Sequence, residues 1–251
     1  MLLCIPNVLS PLEVAALVGK LQNADGWEEG RYTAGTMAAR VKNNRQWIEK
    51  SAPALTDTLA ENLFSISKIG SSDEPEKIDS LSDFVLSKIQ NHPEFVSATL
   101  PKAILPPKFN AYKQGEYYGL HVDSALMHHP LLNESMRCDI SVTLFLSDPE
   151  SYEGGELQIE TSFGAQSIKL EAGSVVLYPS SSLHQVTPVL HGERLASFFW
   201  VQSRVRDESI RASLYDLDQT IQNLRMLPTV PQVECLRLTG VYHNLLRRFA
   251  E

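Results

Sequence analysis

Apolar residues fall at helical spacing near both ends of this chain and at alternating spacing through its middle. Near the start, Val14, Leu17 and Leu21 recur at intervals of three and four. Ser10-Pro11-Leu12-Glu13 just before them is a capping box with proline at the first helical position, which predicts a helix over 11–22. Trp47, Ile48, Leu55, Leu59 and Leu63 extend a second helical pattern over 44–65, kinked or split at Pro53. Leu81, Phe84, Val85 and Ile89 mark a third over 80–90, and "GSSDEPE" between the two reads as an exposed loop.

After "LPPKF" the texture changes to short β-rich runs separated by turn residues: "FNAYKQ", "YYGLHVD", "DISVTLFLSD", "GELQIET", "QSIKLEAGSVVLYP", "HQVTPV" and "RLASFFWVQSRV". Gly154-Gly155 and Gly192 mark turns among them. No helical pattern intervenes, so a β-sandwich or jelly roll is expected rather than a parallel α/β sheet. From Asp207 helical spacing returns, with Ile210, Leu214, Leu217, Ile221 and Leu224 on one face over 207–226. After Pro228 and Pro231 a second amphipathic helix spans 232–249. The stripe on the first of these must be buried, either on the protein's own β core or in a homodimer. The expected fold class is α+β: an N-terminal helical layer (1–95), a jelly-roll core (96–206) and a C-terminal helical extension (207–251).

Composition narrows the partners. With 251 residues, 43% hydrophobic and 21% charged, the chain is globular in character. A formal charge of −8 argues against nucleic acid, whose phosphates need a basic surface. The start has no basic n-region, and no apolar run reaches the roughly 18 residues of a membrane span. Cys4, Cys138 and Cys235 are scattered without metal-ligand spacing and suit reduced thiols, so a cytoplasmic protein is expected.

Candidate chemistry begins in "NAYKQGEYYGLHVDS". His121 and Asp123 stand two apart at a strand end and so face the same way, although such a pair alone also fits a polar surface. His184, after "YPSSSL", supplies a third ligand from another strand. Two histidines and a carboxylate form the facial triad of non-haem Fe(II) oxygenases, which leaves three positions open. Zinc hydrolases use similar sets but typically keep a single open position. Arg194 lies ten residues after His184, beyond the "LHGE" turn. If buried beside the metal it needs an anion, and its planar fork suits a carboxylate; the alternative is an ordinary salt bridge. His128 and His129 read as solvated loop residues, His191 as part of a turn, and Phe198 and Trp200 as core. Arg31, Arg40, Lys42 and Arg45 form a basic cluster that is either part of a substrate mouth or a solvated face.

Together these residues resemble a known family. Tyr112-x-x-Gly115-x-x-Tyr118-x-x-His121-x-Asp123, then Gly154-Gly155-Glu156-Leu157, then His184 followed at ten by Arg194, is similar to the prolyl-4-hydroxylase type of iron- and 2-oxoglutarate-dependent dioxygenase. "TAG", "VKNN", "LFLSDP", "YPSSSLH" and "GERLASFFWVQS" resemble more closely the bacterial PKHD-type hydroxylases, the PiuC-like group associated with iron uptake. The resemblance implies a double-stranded β-helix core, with Fe(II) on His121, Asp123 and His184 and the distal carboxylate of 2-oxoglutarate on Arg194. It also implies O₂ as co-reactant, ascorbate as reductant, and a small-molecule or peptide substrate. Asp123 favours hydroxylation, because related halogenases lack that carboxylate. One departure is Phe145, where animal relatives place a tyrosine that shares the cosubstrate carboxylate; Thr143, on the same face, and Tyr112 are the candidate replacements. A non-catalytic iron or 2-oxoglutarate sensor is the alternative reading.

Overall fold

The computed structural model describes residues 1–33, 35, 38–48 and 80–251. Five helices lie among them: α1 (Pro11–Gln22), α2 (Leu81–Gln90), α3 (Pro93–Thr99), α4 (Glu208–Arg225) and α5 (Gln232–Phe249). The strands before residue 115 are β1 (Leu3–Ile5), β2 (Trp27–Glu29), β3 (Lys42–Asn43), β4 (Arg45–Trp47), β5 (Pro101–Ile104) and β6 (Lys108–Lys113). Those between 117 and 154 are β7 (Tyr117–His121), β8 (Leu126–His129), β9 (Glu134–Arg137), β10 (Ile140–Phe145) and β11 (Glu153–Gly154). Then follow β12 (Leu157–Thr161), β13 (Gly164–Ile168), β14 (Val175–Pro179), β15 (His184–Val186), β16 (Val189–His191) and β17 (Glu193–Ser203).

Two antiparallel sheets face each other. The larger runs β1-β14-β10-β17-β6-β4-β2, with β5 also on β17; the smaller runs β13-β12-β15-β7-β3. Alternation along each strand of the larger sheet sorts its side chains between two layers. Phe109, Ala111, Val142, Leu144, Val175, Leu177, Leu195 and Phe199 point outward onto Leu17 and Leu21 of α1, Val85 and Ile89 of α2, and Phe95 of α3. The intervening positions point inward. There Tyr112, Phe145, Val176 and Tyr178 meet Leu157, Ile159 and Val186 of the smaller sheet. This is the α+β jelly roll expected from the sequence.

Helix α1 occupies the expected span, and its capping box is formed: Ser10 accepts from the Glu13 amide while the Glu13 carboxylate accepts from the Ser10 amide at 2.7 Å. Helices α2, α4 and α5 also lie where the spacing puts them. The stripe on α4 is covered in part within the chain. Leu214 and Ile221 are buried, Ser97 of α3 donates to Asp218 at 2.5 Å, and Tyr215 donates to Glu94 at 2.9 Å.

The helix expected over 44–65 does not begin there, because Arg45–Trp47 is a strand paired on both sides, to β2 and to β6. Trp47 packs edge-on against Phe109 at 5.8 Å, and this tertiary pairing overrides the local period. Most of that expected helix and the "GSSDEPE" loop lie outside the described residues. The N-terminal part is therefore more than a helical layer, since β1 to β4 join both sheets. The segment around His128 and His129, expected as a loop, is a hairpin of β8 and β9. His129 is buried there, its Nε2 3.0 Å from the Ile104 carbonyl oxygen.

Candidate active site

The inward faces of the two sheets enclose a cavity of about 250 Å³. One ligand atom from each of His121, Asp123 and His184 lies within 4.8 Å of the others. His121 ends β7 and His184 begins β15, and the pairing of these strands sets the two histidines opposite each other. Asp123 stands two residues beyond His121. Both rings are oriented from behind: His121 Nδ1 is 2.8 Å from the Gly119 carbonyl oxygen and His184 Nδ1 is 3.0 Å from that of Ser182. A proton held on each Nδ1 by these carbonyls leaves each Nε2 lone pair for a metal. Burial, then the neighbouring His184, holds His121 well below the usual histidine pKa, so its ring is neutral at physiological pH. Tyr118 stacks on His121 with centroids 3.6 Å apart, and Tyr178 meets His184 edge-on at 5.0 Å.

Asp123 has support that sequence reasoning missed. Ser141 Oγ donates to Asp123 Oδ2 at 2.5 Å, and Ser180 Oγ lies 2.8 Å from Ser141 Oγ. A serine has one hydroxyl proton, so Ser141 gives it to the carboxylate and accepts from Ser180. The missed signal was parity: Ser141 shares its strand face with Thr143 and Phe145.

Arg194 is 1% exposed, and its Nε and Nη1 have no hydrogen-bond partner among the described residues. Its Cα pairs with that of Tyr112 across β17 and β6, and its guanidinium carbon lies 5.3 Å from the ring centres of both Tyr112 and Phe145. Tyr112 and Thr143 line the same cavity. Tyr112 is fully buried and its hydroxyl accepts from Asn110 at 3.3 Å. A buried cation with open donors costs several kcal/mol unless an anion completes it. The donor set therefore fits a carboxylate ligand, and the three-atom cluster fits a divalent metal. Tyr152, which sequence reasoning did not single out, stands beside Arg194. Its buried hydroxyl has no partner among the described residues, and burial raises its pKa while Arg194 lowers it.

Two glycines shape this end of the cavity. Gly154 and Gly155 both have positive φ, at 72° and 66°. A Cβ on Gly154 would lie 2.2 Å from the Pro188 carbonyl oxygen, and one on Gly155 3.2 Å from Arg194 Cδ. The "GG" of the motif thus lets β11 pass close behind the arginine.

At the other end of the cavity the expectations shift. Phe198 and Trp200, expected in the core, share the inward face of β17 with Arg194 and line the cavity, although Trp200 also packs on Leu105 and Met136. Of the basic cluster, Arg31 pairs with Glu29, and Arg45 pairs with Glu193 at 2.5 Å and Glu116 at 3.6 Å. Lys42 alone of the four lines the cavity, and Lys108 joins it from β6.

A jelly roll that holds two histidines and an aspartate beside a buried arginine defines a class, the 2-oxoglutarate- and iron(II)-dependent oxygenases. The model of the 2OG-Fe(II) oxygenase superfamily matches residues 107–202, and that of the PKHD-type hydroxylase C-terminal domain matches 208–251. The chain belongs to the PKHD-type hydroxylases. It is 49% identical over 251 residues to one from Teredinibacter turnerae, covering 100% of both chains. It is 48% identical over 250 residues to one from Acidovorax ebreus, covering 100% of this chain and 99% of that one. A prolyl-4-hydroxylase structure from Pseudomonas putida superposes with a TM-score of 0.48 at 19% identity, over 81% of this chain and 92% of that one. The protein is a 2-oxoglutarate-dependent hydroxylase, and the sensor reading gives way to an enzyme.

Proposed function

We propose that His121, Asp123 and His184 hold Fe(II) and that Arg194 receives the distal carboxylate of 2-oxoglutarate, so that the cavity hydroxylates an organic substrate. The observation that carries this reading is the buried guanidinium with open Nε and Nη1, sharing one cavity with three converging metal-type donors. Iron bound there, with 2-oxoglutarate and O₂, supplies the oxidising power for hydroxylation while the cosubstrate is converted to succinate and CO₂.

The chain's own residues do the positioning. Arg194 anchors the cosubstrate by a charge-assisted fork, and Tyr112 and Thr143 offer hydroxyls beside it. Ser141 fixes the aspartate, and the backbone carbonyls of Gly119 and Ser182 fix the two imidazoles. Tyr118, Tyr178 and Phe145 keep water from the reacting atoms. Ascorbate as reductant, a cytoplasmic location and a link to iron uptake rest on the family resemblance and the cysteine usage. Among the described residues no helix is long and apolar enough to cross a membrane.

Anaerobic addition of Fe(II) and 2-oxoglutarate should produce a visible metal-to-ligand charge-transfer band. His121→Ala and His184→Ala should each abolish it; its full retention in both variants would sink the assignment. Arg194→Ala should keep the metal but weaken 2-oxoglutarate by on the order of 2 to 5 kcal/mol, the usual cost of truncating a buried charge pair. Calorimetry with Mn(II) in place of iron reads this directly, and an unchanged cosubstrate Kd would count against the role.

A further inference from the structure

Lys42 and Lys108 both line the cavity, close enough for the charge of one to be felt by the other, in a part of it that the cosubstrate reading does not use. Along β17 the Cα partner of Arg194 is Tyr112 and that of Phe198 is Lys108. Four residues of strand separate the two places, about 13 Å at the usual rise. At the far end the Lys42 ammonium lies 5.3 Å from the Tyr118 ring centre and 5.9 Å from that of Phe198, and the Lys108 ammonium lies 5.9 Å from the Trp200 ring. Lys42 is 9% exposed and donates to Gln46 Oε1 at 3.2 Å. Lys108 reaches in from a more open position, and among the described residues it has no ion-pair partner. Two polar atoms on this wall, Trp200 Nε1 and Asn110 Oδ1, are buried with no hydrogen-bond partner among the described residues.

We propose that the substrate carries an oxyanion, that Lys42 and Lys108 receive it at this end, and that its apolar part lies along Phe198, Trp200 and Tyr118. The proposal rests on the cosubstrate reading, because 2-oxoglutarate has one distal carboxylate for Arg194 and one 2-oxo-acid end for the metal. Both of its anionic groups are then assigned to other residues, and the cosubstrate does not account for the two lysines in this wall. Electrostatics supports the choice. Two ammonium groups brought together in a partly desolvated wall raise each other's free energy, and an anion between them offsets both costs. Arg31 and Arg45 pair with the chain's own glutamates outside the cavity, whereas Lys42 and Lys108 line it. The aromatic wall and the Trp200 donor fit a substrate whose acidic group is joined to an apolar body.

The test uses the full chain loaded with Mn(II) and 2-oxoglutarate, so that the Arg194 end is filled. Four probes share one apolar body: phenylpropionate, phenylpropylphosphonate, phenylpropanamide and phenylpropylamine. Binding is read by calorimetry and by quenching of indole fluorescence. One or both acids should bind at least about tenfold tighter than the amide, as charge-assisted contacts require; whichever acid leads tells carboxylate from phosphonate recognition. Lys42→Met and Lys108→Met should each remove most of that preference while 2-oxoglutarate affinity stays unchanged, and the double Lys→Glu variant should favour the amine. Binding of acid and amide alike, or of no probe at all, by the loaded wild type overturns the proposal. So does a loss of 2-oxoglutarate affinity in the lysine variants, which would return both lysines to the cosubstrate. Failure of the wild type to bind 2-oxoglutarate is measured before any probe is added, so it is distinguished as failure of the underlying reading.

Discussion

The Ser180-Ser141-Asp123 chain fixes the carboxylate that the proposed metal site requires. Ser141→Ala should therefore weaken metal binding by about 10- to 100-fold, the usual effect of losing a group that orients a ligand, with all three ligands still in place. A Mn(II) titration followed by calorimetry checks it, and wild-type affinity would show that Asp123 needs no such support. Lys42 makes the opposite kind of residue-scale prediction. Burial first, then Lys108, lowers its pKa from 10.5 to about 8, against a pull upward from Asp123. A lysine with a lowered folded-state pKa binds fewer protons than the unfolded chain between those two values. Its contribution to stability thus rises with pH from about 8 to 10.5, and below 8 the charged amine is a net cost. Lys42→Met should stabilise the metal-free protein at pH 7 by up to roughly 3 kcal/mol, a gain that shrinks toward pH 10. Urea unfolding at several pH values measures this, and a destabilised variant at pH 7 would contradict it. The three metal donors and Arg194 were legible in the sequence because a motif with fixed spacing carries them. Ser141 and Lys108 were not, because each reaches the cavity only through strand pairing with residues far along the chain, and Tyr152 was not, because only the fold brings its loop beside Arg194.

Elements differed in legibility for a related reason. Helices α1, α2, α4 and α5 announce themselves by their own period and caps, so local sequence suffices. Strands β2, β3 and β4 are two or three residues long, too short for alternation to register, and exist because neighbours offer edges to pair with: β7 for β3, β6 for β4, and β4 in turn for β2. The β8–β9 hairpin was hidden by "HHPLLNE", whose turn residues outweigh its short flanks. The turn at Gly154 makes a sharper claim. An alanine there would need the left-handed conformation, at about 1 to 2 kcal/mol, and would also drive its Cβ into the Pro188 carbonyl. Gly154→Ala should lower the thermal midpoint well beyond the effect of Gly164→Ala. Gly164 also has positive φ, at 100°, but nothing lies within 4 Å of its Cβ position. Equal losses would mean that backbone strain alone, not the close approach of β16, sets the requirement.

At the scale of the whole molecule, the C-terminal helices belong to the same packed body as the sheets. Arg211 donates to the Val205 carbonyl at 2.8 Å, Val205 and Ala250 form an antiparallel bridge, and the Glu251 amide donates to Arg204 at 2.8 Å. Truncation after Arg206 would uncover what Leu214 and Ile221 cover, at about 1.5 to 3 kcal/mol for each such side chain, against a total stability of about 5 to 15 kcal/mol for a typical fold. The truncated chain should be insoluble or much less stable; a soluble, monodisperse product with an unchanged melting point would refute that. The pairing of β7 with β15 sets a different limit, one of time. The two imidazoles belong to strands with all of β8 to β14 between them in the sequence, so the ion's landing place does not exist until nearly the whole jelly roll has closed. A metal held there is therefore expected to bind late on the folding path rather than to nucleate it. Raising Mn(II) concentration should slow unfolding, by mass action on the native state, and leave the refolding rate unchanged. Stopped-flow measurements in both directions, with and without the ion, separate a clasp fastened last from a seed laid first.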